Sequence, residues 1–472
     1  MSRSVEVGEV SKRFGSVQAL DHVSVSFRPG EIHSVIGENG AGKSTLMGVL
    51  GGFVRPDSGS VSVDGVPLSL GNPHASARAG FALVHQHFML VPAFTVEENL
   101  SLSASESGFI IRPAELAAKA LSLGRDLGWE LNPKASTRNL GVGIQQRIEI
   151  LKALATEAPI LIFDEPTAVL QGDEVDELFR VLRRLRAEGR TILLIAHKLA
   201  EVLAVADRIT VLRAGQWVAT ADRREADTEK LATWMLGERP PIPESVPTEA
   251  GEIVLHATGI VALGGRGERK IDGIDLEVRQ GEIVGIGGVD GNGQVELAEV
   301  LARVLHPSSG TIRCEGTVGY IPQDRHRHGL ALEMTIEENL LVEGHRHDSL
   351  RHGPLLRSGA IRTWSESLRK RFEVAAPNVT LPAKSLSGGN QQKVVVARTF
   401  DAKPDVLVAV NPTRGLDLRA AAFVRHQLIE AARGGAGIVL ISTDLEELDE
   451  VATRRLYLES GRLVERFLGA NR

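Results

Sequence analysis

The apolar residues of this chain fall into short blocks whose spacing predicts alternating strands and helices. Pro159-Ile160-Leu161-Ile162-Phe163 is an unbroken apolar run ending at Asp164, the pattern of a parallel strand buried on both faces. Val175, Leu178, Phe179, Leu182 and Leu185 follow at helical spacing, and Gly189 ends that helix. Thr191-Ile192-Leu193-Leu194-Ile195 then reads as a second buried strand. Strand, helix and strand with short links make a βαβ unit and predict an α/β domain on a mainly parallel sheet. Ligands of such sheets bind beyond the carboxyl ends of the strands, where Asp164, Glu165 and His197 fall.

The pattern occurs twice. Leu140-Gly141-Val142-Gly143-Ile144-Gln145-Gln146 is matched by Leu386-Ser387-Gly388-Gly389-Asn390-Gln391-Gln392, and Pro166-Thr167 by Pro412-Thr413, both at an offset of 246. Thr95-Val96-Glu97-Glu98-Asn99-Leu100 returns as Thr335-Ile336-Glu337-Glu338-Asn339-Leu340, offset 240. An offset that holds within blocks and shifts between them is a whole-domain duplication with loops of different length. Two domains are expected, 1–238 and 252–472. Residues 239–251 between them carry Pro240, Pro241, Pro243 and Pro247, the composition of an extended linker.

Composition narrows the partners. The 54 basic and 60 acidic residues are well mixed, and no basic run recommends nucleic acid. A single cysteine, Cys314, excludes an internal disulfide. Residues 1–6 show no basic segment followed by an apolar core, so no secretory signal is expected. The apolar runs fall far short of the ~20 residues of a spanning helix, so any membrane role would be peripheral.

Gly37-Glu38-Asn39-Gly40-Ala41-Gly42-Lys43-Ser44 has the G-x4-G-K-S spacing of a phosphate loop. It follows an apolar strand, Glu31 to Ile36, and precedes an apolar helix starting near Thr45. Glycines let backbone N–H groups converge on phosphate oxygens, and the helix N-terminus adds positive potential. Lys43 would neutralise β- and γ-phosphate charge, and the Ser44 hydroxyl would reach Mg²⁺.

With these motifs the chain resembles the ATP-binding-cassette (ABC) transporter family over nearly its whole length. The resemblance implies two tandem P-loop domains, each with a parallel-sheet core, a β-subdomain and a helical subdomain. It implies ATP and Mg²⁺ as ligands. It also implies an adenine-stacking role for Phe14 and phosphate contacts from Gly37, Asn39, Gly40, Ala41, Gly42, Lys43, Ser44 and Thr45. Gln86 would sense the metal and the attacking water, Asp164 would hold the magnesium shell, Glu165 would be the general base, and His197 would contact the γ-phosphate. The Leu386-Ser387-Gly388-Gly389 signature would bind, through Ser387, Gly388 and Gly389, the γ-phosphate of ATP held on the opposite half.

The two halves are unequal. In the second phosphate loop Gln294 replaces the lysine and Val295 the hydroxyl. Val410, Asn411 and Thr443 stand where Asp164, Glu165 and His197 stand, and only Gln323 keeps its counterpart, Gln86. The first signature reads Leu140-Gly141-Val142-Gly143, without the serine. In the head-to-tail arrangement of the family the intact loop meets the intact signature, which implies one hydrolysis-competent site.

Without spanning segments, the resemblance implies separate transmembrane permease subunits. Indirectly it implies an extracytoplasmic solute-binding protein, with the chain at the cytoplasmic face of the membrane. The docking surface expected is Gln86 to Pro92, continuing through Thr95 to Leu100, with helical-subdomain core as the other reading of the same residues. Pro412-Thr413-Arg414-Gly415-Leu416-Asp417 resembles the simple-sugar and nucleoside importer ATPases, and Val84 to Val91 leans to the nucleoside branch. The alternative is a tandem ATPase acting on ribosomes or nucleic acid. Asn411, the proline linker and the lack of coiled-coil or zinc insertions oppose it. His326-Arg327-His328 and His345-Arg346-His347 read as solvated loops.

Overall fold

Ile160–Asp164 and Thr191–Ile195 are adjacent parallel strands, in register from Ile160 opposite Thr191 to Asp164 opposite Ile195, in the computed structural model of the chain. The helix between them runs Gly172–Ala187 and buries Leu178, Phe179, Leu182 and Leu185, as their spacing predicts. The structure describes residues 2–15, 17–85, 88–102, 113–167, 170, 172–196, 198–237, 251–265, 267–288, 291–314, 316–345, 347–416 and 418–464. The chain divides into two compact units, Met1–Arg239 and Pro240–Arg472. Most of the expected linker lies outside the described residues.

In the first unit a six-stranded sheet has the order Gln216–Asp222, Arg208–Arg213, Ile32–Ile36, Thr191–Ile195, Ile160–Asp164, Phe81–Val84. All its pairs are parallel except the first. Side chains alternate across each strand. Ile160, Ile162, Leu193 and Ile195 join a core with Val7, Leu20, Val25 and Phe27 of a second, antiparallel sheet. Leu161, Phe163, Ile192 and Leu194 are buried on the other face.

The second unit repeats this plan. Its six-stranded sheet centres on Gly437–Ile441 and Ile283–Gly288, with a three-stranded antiparallel sheet over one face and the helices Gly388–Asp401 and Leu418–Arg433 over the other. Each unit carries a helical subdomain. That of the first is Val96–Ser101, Pro113–Asp126 and Val142–Ala155; that of the second is Ile336–Gly344, Ser358–Arg371 and Gly388–Asp401. The repeated Thr-x-x-Glu blocks are capping boxes, Thr95 with Glu98 and Thr335 with Glu338, which satisfy N-terminal donors of the short helices behind them.

Among the described residues no helix is long and apolar enough to cross a membrane. The histidine-rich segments differ from the expected solvated loops. Arg325–Gly329 is a π-helical turn whose His326 ring bonds Gln391 Oε1 at 2.8 Å. His347 lies 3.1 Å from Asp401 and packs on Trp364. These contacts come from elements distant in sequence, which local composition does not reveal.

Candidate active site

The strand Ile32–Ile36 delivers the chain into the loop Gly37–Ser44, and the helix behind it starts at Lys43, two residues before the expected Thr45. Gly42 causes the earlier start. Its φ of 98° makes it a left-handed N-cap, and a Cβ there would lie 2.4 Å from the Ala19 carbonyl oxygen, so only glycine fits. No side chain caps the helix and its first turn holds no acid. The N–H groups of its first turn therefore remain for an anionic ligand. Asn39 and Gly40 are exposed at the loop apex, Ala41 is buried beneath it, and Thr45 is half-buried in the first turn.

Lys43 is only 5% exposed. Its Nζ donates to the carbonyls of Gly37 at 2.8 Å and Glu38 at 3.0 Å, so the ammonium spans the loop mouth. Ser44 Oγ lies 3.4 Å from Asp164 Oδ1 at the end of the strand Ile160–Asp164. A hydroxyl and a carboxylate meeting beside a phosphate loop are hard oxygen donors of the kind Mg²⁺ takes. Glu165 follows with φ 47°, a left-handed conformation that costs a non-glycine residue about 1 kcal/mol. Its N–H is tied to the Ile195 carbonyl at 3.1 Å. Gln86 and His197 lie outside the described residues.

Phe14 closes the strand Val5–Phe14 and is 50% exposed, with Lys12 Nζ 5.4 Å from its ring centre. It is not a core phenylalanine. The segment expected to dock a partner divides between its two readings. Met89 is 62% exposed, whereas Val96 and Leu100 are core. Buried Asn99 fixes the turn between them, accepting from Val91 N–H at 2.8 Å and donating to the Val91 and Thr95 carbonyls and Thr137 Oγ1.

The second unit keeps the backbone conformation and carries other side chains on it. Gly293 is again a left-handed N-cap, but Gln294, 4% exposed, takes the place of the lysine. Asn411 repeats the strained conformation at φ 44°, with its N–H on the Ile441 carbonyl. Its Oδ1 accepts from Thr443 N–H at 2.9 Å and Thr443 Oγ1 at 3.2 Å. The residues in the base and histidine positions are thus hydrogen-bonded to each other.

The signature loops differ as well. Ser387 is the exposed N-cap of Gly388–Asp401. Its Oγ accepts from Asn390 Nδ2 at 2.9 Å, which leaves its own proton free to donate. In the first unit the Glu174 carboxylate packs on the corresponding helix start, where a Cβ at Gly143 would lie 2.2 Å from Glu174 Oε1. Ala420 occupies the position of Glu174 in the second unit. Sequence reasoning missed this carboxylate, although the 246-residue offset pairs Glu174 with Ala420 directly.

A glycine loop at a parallel strand end, a spanning lysine, and a serine paired with a strand-end aspartate define a P-loop nucleoside triphosphatase, here with its fold duplicated and with this lysine, serine and aspartate in the first copy. The chain belongs to the ABC transporter family, whose model matches residues 20–168 and 271–414. It is an ATP-binding ATPase of that family. It is 40% identical to the nucleoside import ATP-binding protein NupA of Lactococcus lactis subsp. cremoris over 97% of this chain and 94% of the relative. It is 38% identical to the guanosine import ATP-binding protein NupO of Bacillus subtilis over 98% and 94%. It is 39% identical to the glucose import ATP-binding protein TsgD13 of Haloferax volcanii over 96% and 91%. Among solved structures, the archaeal ribosome recycling factor aABCE1 with stalk protein aP1 aligns with a TM-score of 0.69 at 23% identity, covering 96% of this chain and 89% of that one. That likeness is one of fold alone.

Proposed function

We propose that this chain powers uptake of a nucleoside or a simple sugar through separate permease subunits fed by an extracytoplasmic binding protein, hydrolysing ATP with a single complete set of residues. The observation that carries the reading is the contrast at one position. Asp164 and Glu165 end the strand beside Ser44 and Lys43 in the first unit, whereas Val410 and an Asn411 bonded to Thr443 end it in the second. Import, rather than ribosomal action, is supported by curated importer relatives at 38–40% identity along nearly all of the chain.

In this reading the backbone N–H groups of Gly40 to Thr45 and the Lys43 ammonium hold the β- and γ-phosphates, and Phe14 stacks on the adenine. Ser44, Asp164 and Gln86 are the residues that would hold Mg²⁺, which when bound offsets phosphate charge. Glu165 takes a proton from the water that attacks the γ-phosphorus, as the bond to the β-phosphate oxygen breaks. His197 donates to a γ-phosphate oxygen, and the Ser387–Gly389 signature offers donors of its own to a nucleotide phosphate. Asn411 has no such basicity at neutral pH. Partner docking falls to the exposed turn around Met89.

The test is co-purification and uptake. The tagged chain should bring down a multi-spanning permease and support ATP-dependent uptake of labelled guanosine or glucose in vesicles carrying that permease. Co-sedimentation with ribosomes and no permease in the eluate would refute the importer reading.

A further inference from the structure

Glu201 stands on the first turn of the helix Leu199–Val205, with its side chain 13% exposed. Its two oxygens reach two different stretches of the first unit. Oε2 accepts from Thr167 Oγ1 at 2.5 Å, and Oε1 pairs with Lys198 Nζ at 3.1 Å. Thr167 is buried and lies two residues past Glu165, where its carbonyl accepts from Leu170 N–H at 3.2 Å and closes a turn. Lys198 follows His197 in the chain and is the N-cap of the helix that carries Glu201. One carboxylate therefore joins the segment that leaves the base position to the segment that leaves the histidine position. The strand ends behind them are joined by the main chain, through the bond from Glu165 N–H to the Ile195 carbonyl.

We propose that Glu201 is a positioning residue for ATP hydrolysis, setting Glu165 and His197 relative to each other through Thr167 and Lys198. The proposal rests on the reading of Glu165 as the base and His197 as a γ-phosphate contact. A side chain at a strand end keeps its aim only if the turn that follows is fixed. In-line attack on phosphorus demands that aim, since a misplacement of about 1 Å can cost about a hundredfold in rate. A hydroxyl donating to a carboxylate is among the stronger bonds available to fix such a turn.

The second unit shows which half of the connection accompanies the chemistry. Thr413, Leu416 and Glu447 repeat Thr167, Leu170 and Glu201 at the offset of 246. Thr413 again bonds the glutamate, and Leu416 N–H again bonds the Thr413 carbonyl, at 3.1 Å. The anchor on the threonine is common to both copies. The other half has changed. Asp444 stands in place of Lys198 and caps its helix by accepting from Glu446 and Glu447 N–H. Glu447 Oε2 takes the Ser442 hydroxyl at 2.6 Å, while Oε1 is buried with no hydrogen-bond partner among the described residues. Burial pushes the Glu447 carboxyl above its ordinary range. A lysine on the carboxylate occurs beside His197 and Glu165, and an aspartate takes its place beside Thr443 and Asn411. The helix forms in both units, so the lysine is not what builds it.

The test is made on the full-length chain, with kcat and KM for Mg-ATP from phosphate release and ATP affinity from equilibrium titration. Lys198→Met removes a half-exposed ammonium, and Glu201→Gln breaks the ion pair while keeping an acceptor for Thr167. Each should lower kcat about tenfold, with KM and ATP affinity within about twofold of wild type. The double variant should be no slower than the slower single, because both changes break one link. Lys198→Arg keeps the pair and should retain most turnover. Glu447→Gln, the matching change in the second unit, should leave kcat unchanged. Wild-type kcat in both single variants would overturn the proposal, as would a loss of ATP affinity as large as the loss of kcat, or an equal fall with Glu447→Gln. Glu165→Gln measured alongside separates the proposal from the reading beneath it. If Glu165→Gln is inactive while the pair variants turn over normally, only the positioning role falls. If Glu165→Gln still turns over, the base assignment falls and the positioning role with it.

Discussion

Glu165 and Asn411 occupy one position in two copies of a fold, share a left-handed backbone, and should respond to mutation in opposite ways. Glu165→Gln keeps the shape of the side chain and removes its basicity. A general base contributes about 10²–10⁴ in rate, so turnover should fall at least a hundredfold. Asn411→Ala removes an acceptor that is 7% exposed and serves two donors of Thr443. Stranding the Thr443 N–H costs about 1–3 kcal/mol. Alanine at φ 44° adds roughly 1 kcal/mol, because asparagine tolerates that conformation better. The total of about 2–4 kcal/mol should lower the midpoint of the second unit by roughly 4–16 °C, at the 2–4 °C per kcal/mol of domains this size. Turnover measured well below that midpoint should stay above about half of wild type, the loss falling on stability rather than on the chemical step. The assays are steady-state phosphate release at saturating Mg-ATP and scanning calorimetry. Asn411→Gly is the control: it loses the same hydrogen bonds without the backbone penalty, and its midpoint should fall less. A Glu165→Gln chain that still turns over, or an Asn411→Ala chain that is stable but inactive, would refute the assignment of roles.

Phe14→Ala should weaken ATP about tenfold, the scale of one base–aromatic stack, with Phe14→Trp restoring it in equilibrium titrations. Because the ring is half-exposed, the thermal midpoint should move little. Asn99→Ala should destabilise the first unit by about 2–4 kcal/mol, since the half-buried Val91 N–H and C=O lose the buried Asn99 amide as partner; chemical denaturation measures this. His33 is buried with Nδ1 on Glu31 and Nε2 on Thr210, and burial holds its pKa below 6.5 despite the raising effect of Glu31. Its contribution is intact above pH 6.5. As pH falls below 6.5, the unfolded chain takes up a proton that the folded chain does not, and stability is lost. Melting curves from pH 7.5 to 5.0 should show this decline, and His33→Gln should flatten it.

The features legible in the sequence were those that depend on local spacing. The continuous run Ile160 to Phe163, the glycine pattern from 37 to 44 and the break at Gly189 each encode a backbone conformation within a few residues, and each appears where expected. Side-chain partners across the fold were not legible. Glu174 reads as one more charge on the polar face of an amphipathic helix until folding places its carboxylate on Gly143. His326 reads as solvated until it meets Gln391, 65 residues away. The turn after Gln86 resisted assignment because one stretch does two jobs: Met89 is left exposed while Val96 and Leu100 enter the core.

The pattern of loss in the second unit follows from what each residue costs when its ligand is not needed. Lys43 is buried with a full charge, held by two carbonyls, and is at its best only when phosphate arrives. A neutral amide at Gln294 fills the same buried position without an ion to compensate. The same reasoning applies to Val410 for Asp164 and Asn411 for Glu165, each an uncharged group where a carboxylate would otherwise await a partner. What the second unit retains is what any copy of the fold requires: the left-handed residues 293 and 411, the Thr335–Glu338 capping box, and Asn339 clamping Ala331 as Asn99 clamps Val91.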